Sequence, residues 1–223
     1  MLVAAIVGVD LRSTMDLDAT LRGIRLAEPI IHDVIIDICG VPIDDNVTLR
    51  LESISPIRKD DLYGGFRVKI LAVYTSIVTP FTVDISTGDV ITPNPVKFLF
   101  RGIFDEEKQF DLWAYNIETV MAEKLETILT RRILNTRPRD FYDIYVLSTT
   151  QPFDRTLLGE AIEATAAHRG SSDQIQDVAK ILQLMGNSQE LKRMWEKYRR
   201  DFTYASSITY EMIMNALNGI LLM

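Results

Sequence analysis

Two aspartates, Asp16 and Asp18, stand one residue apart in a stretch that alternates in side-chain character, Met15 to Leu21. Residues two apart on a strand project to the same side, so this spacing sets two like charges close together. Such a pair repels unless cations sit between its members. Magnesium suits that task, because it takes oxygen ligands from a few carboxylates and from substrate phosphates. A third carboxylate on a neighbouring strand would complete a two-metal site for in-line attack on phosphorus. Asp84 is the candidate, since Phe81-Thr82-Val83-Asp84-Ile85 sets a charge inside an otherwise strand-like run. A D-x-D alone is equally the mark of a solvated strand face.

Lys124 is the next residue of chemical interest. It falls within the apolar stripe of Ile117, Val120, Met121, Leu125 and Ile128, where an unpaired ammonium is costly. A phosphate would resolve that cost, and so would a structural carboxylate partner. Asp140 and Asp143 share one side of a helix, and Arg137 can pair with Asp140 across the same three-residue interval. The competing reading for these acids is a helix-start charge set against the dipole. Arg12, Arg67, Arg131 and Arg132 carry forked donors suited to phosphate, although each reads more readily as a surface charge or a salt-bridge partner. Lys192 to Arg200 mixes five basic residues with Trp195 and Tyr198; it suits an RNA backbone, or a solvated helix face with the aromatics turned inward. His32 and His168 have no matched ligand spacing, so zinc is not expected.

The elements that must position these residues follow from periodicity. Leu2 to Gly8 reads as the end of a helix closed by glycine. Glu28 to Cys39 reads as a helix with Pro29 in its first turn. Strands are expected over Thr48 to Ile54, Phe66 to Tyr74 and Pro80 to Ser86, separated by turn chemistry at Asp44-Asp45-Asn46 and Tyr63-Gly64-Gly65. A strand or two is expected within Lys97 to Tyr115. From Asn116, a fitting N-cap, the period becomes helical and stays so to the C-terminus. The expected class is therefore α+β, with a sheet domain over 1–115 and a helical domain over 116–223.

Composition bounds the function. With 223 residues, 47% hydrophobic and 25% charged, the chain reads as an ordinary globular protein with a sizeable core. Its net charge of −7 argues against indiscriminate nucleic-acid binding. The single cysteine, Cys39, lies in an apolar run; a buried thiol and a reducing, cytoplasmic setting are expected. No membrane span and no signal peptide are expected.

Five stretches occur in order: Arg12 to Asp18, Tyr63-Gly64-Gly65-Phe66-Arg67, Val83 to Asp89, Ala122-Glu123-Lys124-Leu125, and Arg137 to Tyr145. Together they resemble the AbiEii/AbiGii toxin family, nucleotidyltransferases of bacterial abortive-infection and toxin–antitoxin systems. The likeness covers about residues 1–148. It implies a minimal polymerase-β-like nucleotidyltransferase sheet with a helical C-terminal part. It also implies transfer of a nucleoside monophosphate from a nucleoside triphosphate (NTP), with the tRNA 3′ end as acceptor in some relatives. By motif match, Asp16, Asp18 and Asp84 would hold Mg2+ or Mn2+. Lys124 would contact nucleotide phosphates, with Arg67 and Asp143 also at the nucleotide, and Asp140 or Asp143 would be the acid of the last motif. A cognate antitoxin is an implied partner. Such proteins carry a glycine pair just upstream of the D-x-D, and here that place falls before Met1. We therefore expect either a start set too far downstream or weakened nucleotide binding. The alternative function is a catalytically impaired nucleotidyltransferase fold that binds RNA or a protein partner.

Overall fold

The structure is a computed structural model that describes residues 2–8, 10–12, 16–23, 25–57, 64–102 and 107–222; the side chain of Asp16 is also outside this set. Ser13, Thr14, Met15 and Tyr63 of the expected motifs lie outside the described residues. The chain forms an α+β protein, with a mixed four-stranded sheet and a helical C-terminal part. Contacts divide it into two units: residues 14–89, together with residue 1, and residues 2–13 with 90–223.

The sheet unit holds β1 (Asp16–Leu21), α2 (Glu28–Cys39), β2 (Val47–Ile57), β3 (Gly65–Tyr74) and β4 (Ile77–Thr87). Strand order is β1-β4-β3-β2, with β1 parallel to β4 and the other pairs antiparallel. Alternation gives this sheet two unlike faces. Val68 and Ile70 of β3 and Ile85 of β4 are buried with Ile31 and Ile35 of α2, flanked by Phe66, Phe81, Val83 and Leu21. The intervening residues, Arg67 and Lys69 of β3 and Thr82, Asp84 and Ser86 of β4, carry polar side chains on the opposite face. Pro29 lies in the first turn of α2 as its sequence implies, and Gly40 follows as C-cap. Gly65 allows β3 to approach β4, because a Cβ there would stand 2.9 Å from the Ile85 carbonyl oxygen.

The helical unit comprises α1 (Leu2–Val7), the hairpin β5 (Val96–Arg101) and β6 (Gln109–Ala114), and helices α3 (Ile117–Arg131), α4 (Pro138–Thr150), α5 (Arg155–Arg169), α6 (Val178–Asn187), α7 (Gln189–Asp201) and α8 (Tyr210–Leu221). Asn116 caps α3, its side chain accepting the Thr119 N–H at 2.7 Å. Met121, Leu125, Ile128, Phe141, Ile144, Leu147, Leu191 and Trp195 fill one core. The division by contacts falls at 89/90 rather than at 115: β5 and β6 pair only with each other among the described strands, and the segment that leads into them is grouped with the helices. Cys39 is half-buried rather than buried, and burial raises its thiol pKa. Trp195 and Tyr198 turn inward from α7, leaving its basic residues on the outer face.

Candidate active site

In the sheet unit, the parallel pairing of β1 with β4 sets Asp18 in register with Asp84. Register partners on adjacent strands project to the same side about 4.8 Å apart. Asp18 is exposed, and among the described residues no cation pairs with it. Asp84 lies on the polar face and is gripped from β3. Arg67 is its register partner there, and donates from Nε to Oδ1 and from its terminal nitrogen to Oδ2, both at 2.7 Å. This is the fork-on-fork geometry that makes guanidinium–carboxylate pairs directional. One step further along, Thr20 and Ser86 are also in register, and both hydroxyls donate to Oδ2 of Asp89, at 2.7 and 2.5 Å. Asp89 was not singled out from the sequence. The signal available was its place after Gly88, whose φ of 84° lets the chain turn back on the strand end.

Asp16 opens β1 two residues before Asp18, in register with Thr82. Among the described residues no group of three or more His, Cys, Asp or Glu is set to hold a metal ion, and the side chain of Asp16 is outside that search. The residues present nevertheless fit a divalent cation. Asp18 and Asp84 are hard oxygen donors side by side, and Asp84 already accepts positive charge from a guanidinium.

The second constellation lies wholly in the helical unit. Lys124 projects from α3 between two carboxylates of α4, with Nζ 3.0 Å from Asp140 Oδ1 and 2.8 Å from Asp143 Oδ2. The burial expected of Lys124 is seen, and its partners are the structural carboxylates. Asp143 has 0% of its side chain exposed and also accepts from Arg12, at 2.9 Å from Nε and 3.2 Å from the terminal nitrogen. Of the readings the sequence allowed for Arg12, the structure shows the salt-bridge partner, buried against Asp143. Arg137 Nε stands 2.6 Å from Asp140 Oδ2, an ion contact off the line of a directed hydrogen bond. Arg131 and Arg132 close α3, and Arg132 donates to the Gln174 carbonyl.

The electrostatics follow from burial set against charge. Burial alone would raise the Asp143 carboxyl; the charge of Lys124 and the Arg12 fork outweigh it and hold its pKa below the ordinary value. Burial would likewise lower the Lys124 ammonium, but the charges of Asp143 and Asp140 carry its pKa above the ordinary lysine range. Tyr142 donates to the Leu11 carbonyl beside this network, and burial pushes its phenol up to about 12. Three cations, Arg12, Lys124 and Arg137, thus face two anions, Asp140 and Asp143. Sequence reasoning put Asp140 and Asp143 on one side of a helix and paired Arg137 with Asp140; it missed the partnership of Arg12 with Asp143, 131 residues apart.

Among solved structures, the chain is similar to JHP933 from Helicobacter pylori, with 16% identity and a TM-score of 0.46 over 93% of this chain and 88% of that one. It is also similar to a protein provisionally named a nucleotidyltransferase from H. pylori, at 14% identity and a TM-score of 0.43, over 91% and 85% of the two chains. No curated protein sequence matches. Among the described residues no helix is long and apolar enough to cross a membrane. The family model "Nucleotidyl transferase AbiEii toxin, Type IV TA system" matches residues 1–216, a span that takes in the aspartates of β1 and β4 and the ionic cluster of α3 and α4, and the chain belongs to that family.

Proposed function

We propose that the chain is a metal-dependent nucleotidyltransferase that moves a nucleoside monophosphate from an NTP onto an acceptor hydroxyl. The observation that carries this reading is the parallel register of Asp18 with Asp84 on the polar face of the sheet. Asp16, Asp18 and Asp84 would hold Mg2+ or Mn2+, which supplies charge neutralisation at the phosphates when bound. The acceptor oxygen forms a bond to the α-phosphorus while the bond to the β-bridging oxygen breaks; pyrophosphate leaves and the hydroxyl proton passes to solvent or a nearby base. The chain's own contribution is positioning: β1 and β4 fix the spacing of the carboxylates, and Arg67 of β3 would offer positive charge to phosphate. The acceptor class we favour is the 3′ end of tRNA and the setting the cytoplasm, as the motif resemblance implies; a cognate antitoxin as protein partner is supported by family membership.

The test is incubation of the full chain with each α-labelled NTP, magnesium and total tRNA. Incorporated label is expected with wild type, falling roughly 100- to 1,000-fold in Asp18→Asn and Asp84→Asn, the scale seen when a transition-state charge partner is lost. Absence of label with every NTP would favour a nucleotidyltransferase fold that works only by binding RNA or a protein. The observation on that side is the occupation of both Asp84 oxygens by Arg67.

A further inference from the structure

We propose that Arg67 is a displaceable latch on Asp84, which a divalent cation must open before both carboxylates can share it. The inference rests on the metal reading of Asp18 and Asp84 given above. Its starting point is the inequality of the two aspartates. Asp18 stands exposed and pairs with no cation among the described residues, whereas both oxygens of Asp84 are taken by one guanidinium at 2.7 Å.

The register makes this grip a property of the sheet. Arg67 faces Asp84 directly across β3 and β4, on the polar side, and Asp18 flanks Asp84 from β1. A cation, an anion and a second anion therefore lie in a row across three strands. A divalent ion drawn to the Asp18–Asp84 pair would meet the guanidinium as a like charge a few ångströms away, and like charges at that range repel. The forked bonds also occupy the carboxylate lone pairs that point towards β3.

The latch can open. Arg67 has 52% of its side chain exposed and Asp84 24%, so the pair is partly solvated and weak enough for a divalent charge to replace. Lys69, the next basic residue on this face, is held elsewhere by Glu52 at 2.6 Å. Once displaced from Asp84, the Arg67 guanidinium still stands beside the carboxylates on β3, placed to take up the phosphate contact assigned to it above. Metal arrival and phosphate capture are thereby coupled through one side chain that exchanges one anion for another.

The experiment is titration of the full chain with Mn2+ without nucleotide, following free Mn2+ by electron paramagnetic resonance. Wild type is compared with Arg67→Gln, Asp84→Asn and the double variant, and folding is checked by circular dichroism. Arg67→Gln is expected to bind Mn2+ about two- to fivefold tighter than wild type, the equivalent of losing one partly exposed ion pair. The double variant should bind no tighter than Asp84→Asn alone. Equal or weaker Mn2+ binding by Arg67→Gln overturns the latch while leaving the metal site standing. Mn2+ binding that does not depend on Asp84 in any variant overturns the metal reading, and the latch with it. Should Arg67→Gln fail to fold, Arg67→Lys, which keeps the charge but loses the fork, is read the same way: tighter binding than wild type supports the latch, and unchanged binding overturns it.

Discussion

Asp143 is enclosed between the ammonium of Lys124 and the guanidinium of Arg12, with no exposed side-chain surface. Removing one member of such a buried set leaves an uncompensated charge. Asp143→Asn is therefore expected to lower stability by about 3–5 kcal/mol, read from denaturant unfolding. Replacing the exposed Asp18 by asparagine should change stability by less than about 0.5 kcal/mol in the same measurement. The pH dependence has a definite sign. The folded Asp143 carboxyl titrates below its ordinary value of 3.8, so its contribution is complete above that value and is lost as pH falls through the folded pKa. Lys124 runs the other way. Its folded pKa lies above 10.5, so its contribution is complete below 10.5 and fades as pH rises through the folded value. A stability profile with an acid limb that Asp143→Asn removes would bear this out; an unchanged acid limb would contradict it.

At the scale of elements, Gly65 is the position most sensitive to a single added carbon. Its Cβ would stand 2.9 Å from the Ile85 carbonyl oxygen and 3.0 Å from the Ile57 side chain, so β3 would have to move away from β4. Gly65→Ala is expected to cost about 1–3 kcal/mol in thermal or denaturant unfolding, the usual scale for overpacking. Because Arg67 and Asp84 meet two residues along, the same variant should also loosen the latch and tighten Mn2+ binding. The Tyr63-Gly64-Gly65 stretch was readable as turn chemistry, but its close approach to a neighbouring strand was not. Local signals served well where the cause was local. Pro29 lies in the first turn of α2, and Asn116 caps α3 through the Thr119 N–H. The pairing of β1 with β4 is different in kind. Its register joins Asp18 to a residue 66 positions away, and no periodicity within either strand carries that information. The two carboxylates could be nominated from their types; their adjacency had to come from the fold.

At the scale of the whole molecule, the described residues form two cores, one around Ile31, Ile35 and Val68, the other around Leu125, Phe141 and Trp195. A cavity in one core should register mainly there. Ile35→Ala is expected to cost about 2–5 kcal/mol and to speed amide exchange in β3 and β4 while sparing α3 and α4; Leu125→Ala should do the reverse. Uniform acceleration by either variant would show that the cores do not melt separately. β5 and β6 look like sheet in sequence, yet among the described strands they pair only with each other, and contacts group them with the helices. The salt bridge of Arg12 with Asp143 has a consequence for the order of events during synthesis. Its arginine is made near the beginning, the whole four-stranded sheet follows, and its aspartate emerges 131 residues later. The sheet is thus spliced into the helical unit, and its strands are all available to pair while the opening segment still waits for its counter-ion. A ribosome halted before residue 143 would carry every strand of that sheet, with Arg12 still unable to make this bond.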